Sequence, residues 1–193
     1  MTRQYDLKKD LREAEAMVAG LENYLRGDPL YGSVGGGFSF QHMPALTVGA
    51  LELRRRRLGQ LAGDALRQRV DAVQAQREAV CEAWPLHYRR KLEREAHSRL
   101  DTTGRYLQDM AGEPAQATRN WQPELLRRSI VEELHQVMAR AGRHDETLEA
   151  KARRIDALLL TIADEPCDFL WDPQLEAVYP PADFPWLYRR PRA

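Results

Sequence analysis

A chain of 193 residues is long enough to bury a real core, and its 43% apolar and 30% charged content is ordinary for a soluble, helix-rich protein. Basic and acidic residues balance at 29 each, so no global field gathers nucleic acid or an anionic membrane. Two cysteines, Cys81 and Cys167, are too few for a disulfide framework, and neither belongs to a Cys-x-x-Cys pair.

The first predicted helix runs from Asp6 to about Arg26. Leu7, Leu11, Ala14, Val18, Leu21 and Leu25 recur at three- and four-residue steps, Asp6 suits the N-cap, and Gly27-Asp28-Pro29 is the expected stop. The loop from Gly27 to Met43 exceeds most helix–helix connections, and loops of such length tend to carry function or disorder. Gly35, Gly36 and Gly37 permit unusual dihedrals there, but no Gly-Lys-Ser/Thr follows and no strand precedes, which excludes both phosphate-loop and dinucleotide motifs. Tyr31, Phe38 and Phe40 suggest a loop packed on its own bundle. The alternative is a partner-binding flap made by Tyr31, Gly35, Gly36, Gly37 and Phe38.

A second helix is expected from Pro44 to about Ala62, with Leu46, Leu51, Leu58 and Leu61 inward. Its four consecutive arginines, Arg54 to Arg57, point to all sides of a helix. They read as a solvated face with some acidic pairing, not as a single phosphate-reading surface.

From Asp64 to Met110 one stripe persists: Leu66, Val70, Val73, Arg77, Val80 and Trp84, then Tyr88, Leu92, Ala96, Leu100, Thr103, Leu107 and Met110. Pro85 interrupts it, and no Ser, Thr, Asp or Asn stands before Pro85 to cap a fresh start. Either the helix kinks there, or one helix ends near Ala83 and another begins with Pro85 at its first position. Without a cap, the expectation is one long, Pro-kinked central helix, roughly 70 Å at 1.5 Å per residue. A shaft of that length usually finds a second chain, as in a coiled coil. Pro123 opens a fourth helix ending at Gly142, with Leu126, Ile130, Val131, Leu134, Val137 and Met138 inward, and a fifth runs from about Asp145 to Asp164.

The segment 166–193 differs in kind. It holds six of the chain's 11 prolines, and the rings Phe169, Trp171, Tyr179, Phe184, Trp186 and Tyr188. Such a segment is too rich in aromatics for a disordered tail and should be bound to a surface, either its own bundle or another protein. Trp171, Tyr179, Phe184, Trp186, Tyr188, Arg189 and Arg190 are the residues expected to bind a partner, since Trp, Tyr and Arg dominate interface hot spots.

One constellation resembles chemistry. Glu93, His97 and Asp101 fall four residues apart, and Glu132-x-x-His135 matches the step used by di-iron bundles. If those faces met, the five residues could ligate a metal. A ferritin-like site needs a second Glu-x-x-His step, and the chain has one, so salt bridges are the first reading. No nucleophile elbow or zinc spacing is present, and no cofactor is expected.

Together these features predict an all-α, up-and-down helical bundle over residues 1–165 and an extended docking segment over 166–193. The function expected is a non-catalytic interaction or assembly subunit that docks a partner or a second copy of itself. A nucleic-acid accessory using arginine pairs such as Arg89-Arg90 and Arg153-Arg154 is the second reading, and a metal-binding or enzymatic bundle the third. The longest apolar run, Ala157 to Ala163, is far short of the ~20 residues that span a bilayer. The first residues hold no apolar signal core, so a cytoplasmic location is expected.

Overall fold

The computed structural model describes residues 4–34, 43–110 and 121–191. Among these the protein is all-α. Its helices are α1 (Leu7–Arg26), α2 (Val48–Leu61), α3 (Asp64–Ala83), α4 (Pro85–Met110), α5 (Trp121–Arg140) and α6 (Glu146–Ile162). The strands β1 (Glu165–Pro166) and β2 (Arg189–Arg190) and two 3-10 helices, Pro173–Val178 and Pro185–Tyr188, complete the tail. The chain divides into two compact units, Asp6–Glu95 and Met1–Tyr5 with Ala96–Ala193, so α4 contributes to both. No helix among the described residues is long and apolar enough to cross a membrane.

In the 6–95 unit, the Asp6 carboxylate accepts from Lys9 N–H at 3.0 Å, and α1 buries the predicted stripe from Leu11 to Leu25 together with Met17 and Tyr24, while Leu7 is only half-buried. Helix α2 starts later than Pro44. Leu46 is instead extended and exchanges both backbone hydrogen bonds with Gly32 (2.9 and 2.8 Å), so its burial comes from a bridge rather than a helix. Thr47 then caps α2, its hydroxyl accepting from Ala50 N–H at 3.0 Å. The fully buried Glu95 of α4 accepts from Gly49 N–H at 2.9 Å, placing a carboxylate against the positive end of the α2 dipole.

The expected continuous shaft is divided at one residue. Helix α3 ends at Ala83, Trp84 leaves helical geometry (φ −127°, ψ 52°), and α4 begins with Pro85 in its first position. A residue preceding proline is driven out of the α region, and Pro85 has no N–H for the Cys81 carbonyl. The new start needs no side-chain cap from Trp84, because its carbonyl already accepts from Tyr88 N–H at 2.9 Å. The pieces, 20 and 26 residues long, are about 30 and 39 Å by the helical rise.

In the 96–193 unit, Ala96, Leu100 and Leu107 of α4, Leu125, Val131 and Leu134 of α5, and Leu148, Ile155 and Leu159 of α6 are buried. Helix α5 opens at Trp121, before Pro123, and Leu126, expected inward, is 39% exposed. Gly142 adopts φ 66°, the left-handed turn that ends α5 and lets Arg143 N–H reach the Met138 carbonyl at 3.0 Å. At Gly104 of α4 an added Cβ would stand 2.9 Å from Ile155 Cδ1, so the absent side chain lets α4 and α6 approach closely. The tail then doubles back: β1 pairs antiparallel with β2, Glu165 opposite Arg190.

Candidate functional site

Three of the tail's six aromatic residues are built into the core of their own unit, and Phe169, Trp171 and Tyr188 are half-buried. Tyr179 and Phe184 are fully buried and Trp186 is 2% exposed. Edge-to-face contacts link Trp171 to Tyr179 (5.1 Å), Tyr179 to Phe184 (4.9 Å) and Phe184 to Trp186 (5.8 Å). Trp186 Nε1–H donates to Ser129 Oγ of α5 at 2.9 Å, and the Arg128 guanidinium lies 4.0 Å from the Trp186 ring centre. Arg128 also donates to both Asp156 oxygens (2.6 and 2.9 Å) and, at 3.2 Å, to Glu132. Tyr188 O–H donates to the Tyr179 carbonyl at 2.9 Å, Arg190 forks onto Glu165, and Arg189 reaches the Asp164 carbonyl at 3.4 Å. Of the seven residues expected to bind a partner, only Trp171, Tyr188, Arg189 and Arg190 keep solvent-facing surface. The docking partners of this tail on α5, Arg128 and Ser129, carry no sequence signal: an Arg-Ser step mid-helix reads as surface.

The five candidate metal ligands are not gathered into one ligand set. His97 Nε2 lies 3.4 Å from Asp145 Oδ2, Asp101 pairs with Lys151 at 2.5 Å, and Glu132 is engaged by Arg128. Glu93 belongs to the other compact unit. His135 Nε2 is buried without a hydrogen-bond partner, and burial, reinforced by Arg128, holds its pKa below that of an ordinary imidazole. Among the described residues no three His, Cys, Asp or Glu side chains stand close enough to share an ion. The i, i+4 spacings are present, but neighbouring cations and a helix cap take the carboxylates first.

In the 6–95 unit, the arginine run is partly buried and paired. Arg54 bonds Glu13 and approaches Asp10 (3.8 Å), Arg55 bonds Glu52 (2.7 Å), and Arg57 bonds Asp10 (3.3 Å). Arg77 joins the buried Glu52 to the Tyr88 hydroxyl (2.6 Å to each). Burial pushes the neighbouring Cys81 thiol up to about 11 and also raises Cys167, so neither is a ready thiolate at neutral pH.

The start of the loop after α1, around Pro29 and Leu30, is held by side chains of α1 and α4. Tyr24 O–H donates to the Leu30 carbonyl at 2.8 Å, and the Lys91 amine, 4.4 Å from the Tyr24 ring centre, reaches the Pro29 carbonyl at 2.5 Å. Burial lowers the Lys91 pKa, with Arg94 adding to the effect. Ala19, Gly20, Asn23, Pro29 and Ser33 line a cleft of about 520 Å³ beside this loop. Tyr31 is 46% exposed; Gly35, Gly36, Gly37 and Phe38 lie outside the described residues.

Among the described α-helices, α3 has the fewest buried residues. Only Val70 and Val73 are fully buried, while Ala72, Ala75 and Ala79 form an exposed seam. Asp64, Asp71 and Glu78, seven residues apart and all exposed, run along one flank of that seam, with Glu82 beyond. On the other flank Arg69 is held by Glu15 at 2.8 Å. A seven-residue acidic spacing was readable in the sequence, but it is indistinguishable there from any solvated helix face. Comparison with family models, curated proteins and solved structures finds no match for the chain.

Proposed function

We propose that this protein is a non-catalytic interaction subunit that receives a helix of another protein along the outer face of α3. The supporting observation is the exposed alanine seam with its acidic flank, on a helix that spends only two valines on its own core. Small side chains let a second helix approach closely, and the carboxylates favour a partner whose seam is flanked by Lys or Arg. An antiparallel second copy fits this face poorly. In a two-fold antiparallel pair each flank meets itself, setting Asp71, Glu78 and Glu82 against their own copies. The tail is a weaker docking element, because Tyr179, Phe184 and Trp186 are already inside the core.

Zero-length carbodiimide cross-linking of the full chain in extract of its native host tests this reading. Cross-links from Asp71, Glu78 or Glu82 to lysines of one other protein, abolished by Ala75→Arg/Ala79→Arg, are the expected result. Equal yields in the double variant, or cross-links only between copies of this chain, overturn it.

A further inference from the structure

Arg128, Glu132 and His135 occupy positions i, i+4 and i+7 of α5 and so share one face of the helix. Arg128 and Glu132 are hydrogen-bonded there at 3.2 Å, and Arg128 also clamps Trp186 of the tail. His135 projects from the same face with Nε2 buried and unpartnered. Its charged neighbours are Arg128 and Glu132 on α5 and Asp156 and Glu149 from α6. His135 is the one imidazole in this group.

We propose that His135 is an acid-sensitive element which loosens the hold of α5 on the C-terminal tail. An imidazolium in this buried site needs a carboxylate, and Glu132, one turn away on the same helix, is the near one. That carboxylate is the one Arg128 uses through both terminal nitrogens (3.2 Å each). Protonated His135 therefore competes for Glu132 and sets a second cation beside Arg128, which keeps only Asp156. The contact that depends on Arg128 being held in place is its stacking on Trp186, together with the adjacent Trp186–Ser129 hydrogen bond. The tail's anchor thus loosens while the helices persist.

The direction agrees with burial. His135 is harder to protonate in the folded unit than in the unfolded chain, so its contribution is intact above the ordinary imidazole pKa of about 6.5. It is lost as pH falls through the lower, folded value.

Nuclear magnetic resonance of the full chain provides the test. Between about pH 7.5 and about pH 5, the His135 ring and the Trp186 indole N–H should titrate with one midpoint, and hydrogen-exchange protection of the indole, corrected for intrinsic rate, should fall roughly tenfold. His135→Gln should reduce that fall to less than about twofold, and His97→Gln should leave it as in the wild type. Different midpoints for His135 and Trp186 in the wild type overturn the proposal even if the Gln variant does not fold. So does a wild-type response in a folded His135→Gln protein.

Discussion

Removing the Arg128 guanidinium strands Asp156 and Glu132 and uncovers one face of Trp186 in a single step. Arg128 itself is 4% exposed, whereas its two carboxylates keep 26% and 20% of their surface, so water can partly rescue them. Arg128→Ala should therefore cost about 3 kcal/mol, the lower end for breaking a buried pair, measured by urea unfolding. Arg128→Lys should recover little, since a point charge cannot fork onto Asp156 or stack flat on indole. Asp145 is a second residue whose effect has a sign. The Thr147 hydroxyl first, then Leu148 N–H, hold its carboxyl down at about 2. Its cap is thus at full strength above the ordinary carboxylate range and is lost as pH falls through about 2. Asp145→Ala should cost about 1 kcal/mol near neutrality, and its thermal midpoint should converge on that of the wild type as acid is added.

Individual elements show where local sequence signals decide and where they do not. Gly32 lies on the bridge to Leu46, and a Cβ there would fall 2.8 Å from Tyr24 Cδ2 of a ring held by its hydroxyl to Leu30. The ring cannot move without breaking that bond, so Gly32→Ala should cost about 1–3 kcal/mol in denaturant unfolding. Asp6, Gly142 and Asp145 were legible in the sequence because capping and left-handed turns are chemistry of one residue and its near neighbours. Pro85 was legible as a break for the same reason. Its outcome turned on Trp84, whose displacement from the α region was the less visible half of the signal. Pro44 misled in the opposite direction: a helix-start residue lost to Thr47 because Leu46 is taken by Gly32, a pairing across the chain that no local pattern encodes. The fate of the arginine run and of the tail rests on partners in other helices, Glu13 and Asp10 in one case, Arg128 and Ser129 in the other. Periodicity marks the face that turns inward, though Leu126 on such a face stays 39% exposed, and it does not say what the buried polar atoms meet.

At the scale of the whole molecule, the tail is structure before it is surface. Burying a ring such as Phe184 or Trp186 removes ~150–250 Å² from water, or about 4–6 kcal/mol gross at ~25 cal/mol/Å², and net domain stabilities are only about 5–15 kcal/mol. A chain ending at Glu165 loses Tyr179, Phe184, Trp186 and Leu187 together. It should show no cooperative unfolding of the 96–193 unit by calorimetry or near-ultraviolet circular dichroism. A partner lost on truncation would therefore report collapse of the unit, and point changes on α3 are the cleaner probe of docking.

The return of the chain from β1 to β2 also sets an order of events during synthesis. Helices α5 and α6 emerge from the ribosome before the rings that cover them exist. At roughly 5–20 residues per second, the stretch from Ala163 to Arg190 takes a few seconds to follow. For that interval the face around Ser129 is a wet, unfinished half-core, a natural client for a chaperone. The 6–95 unit is complete in sequence at Glu95, so all of its residues have been made while the ribosome is still reading the message for α5.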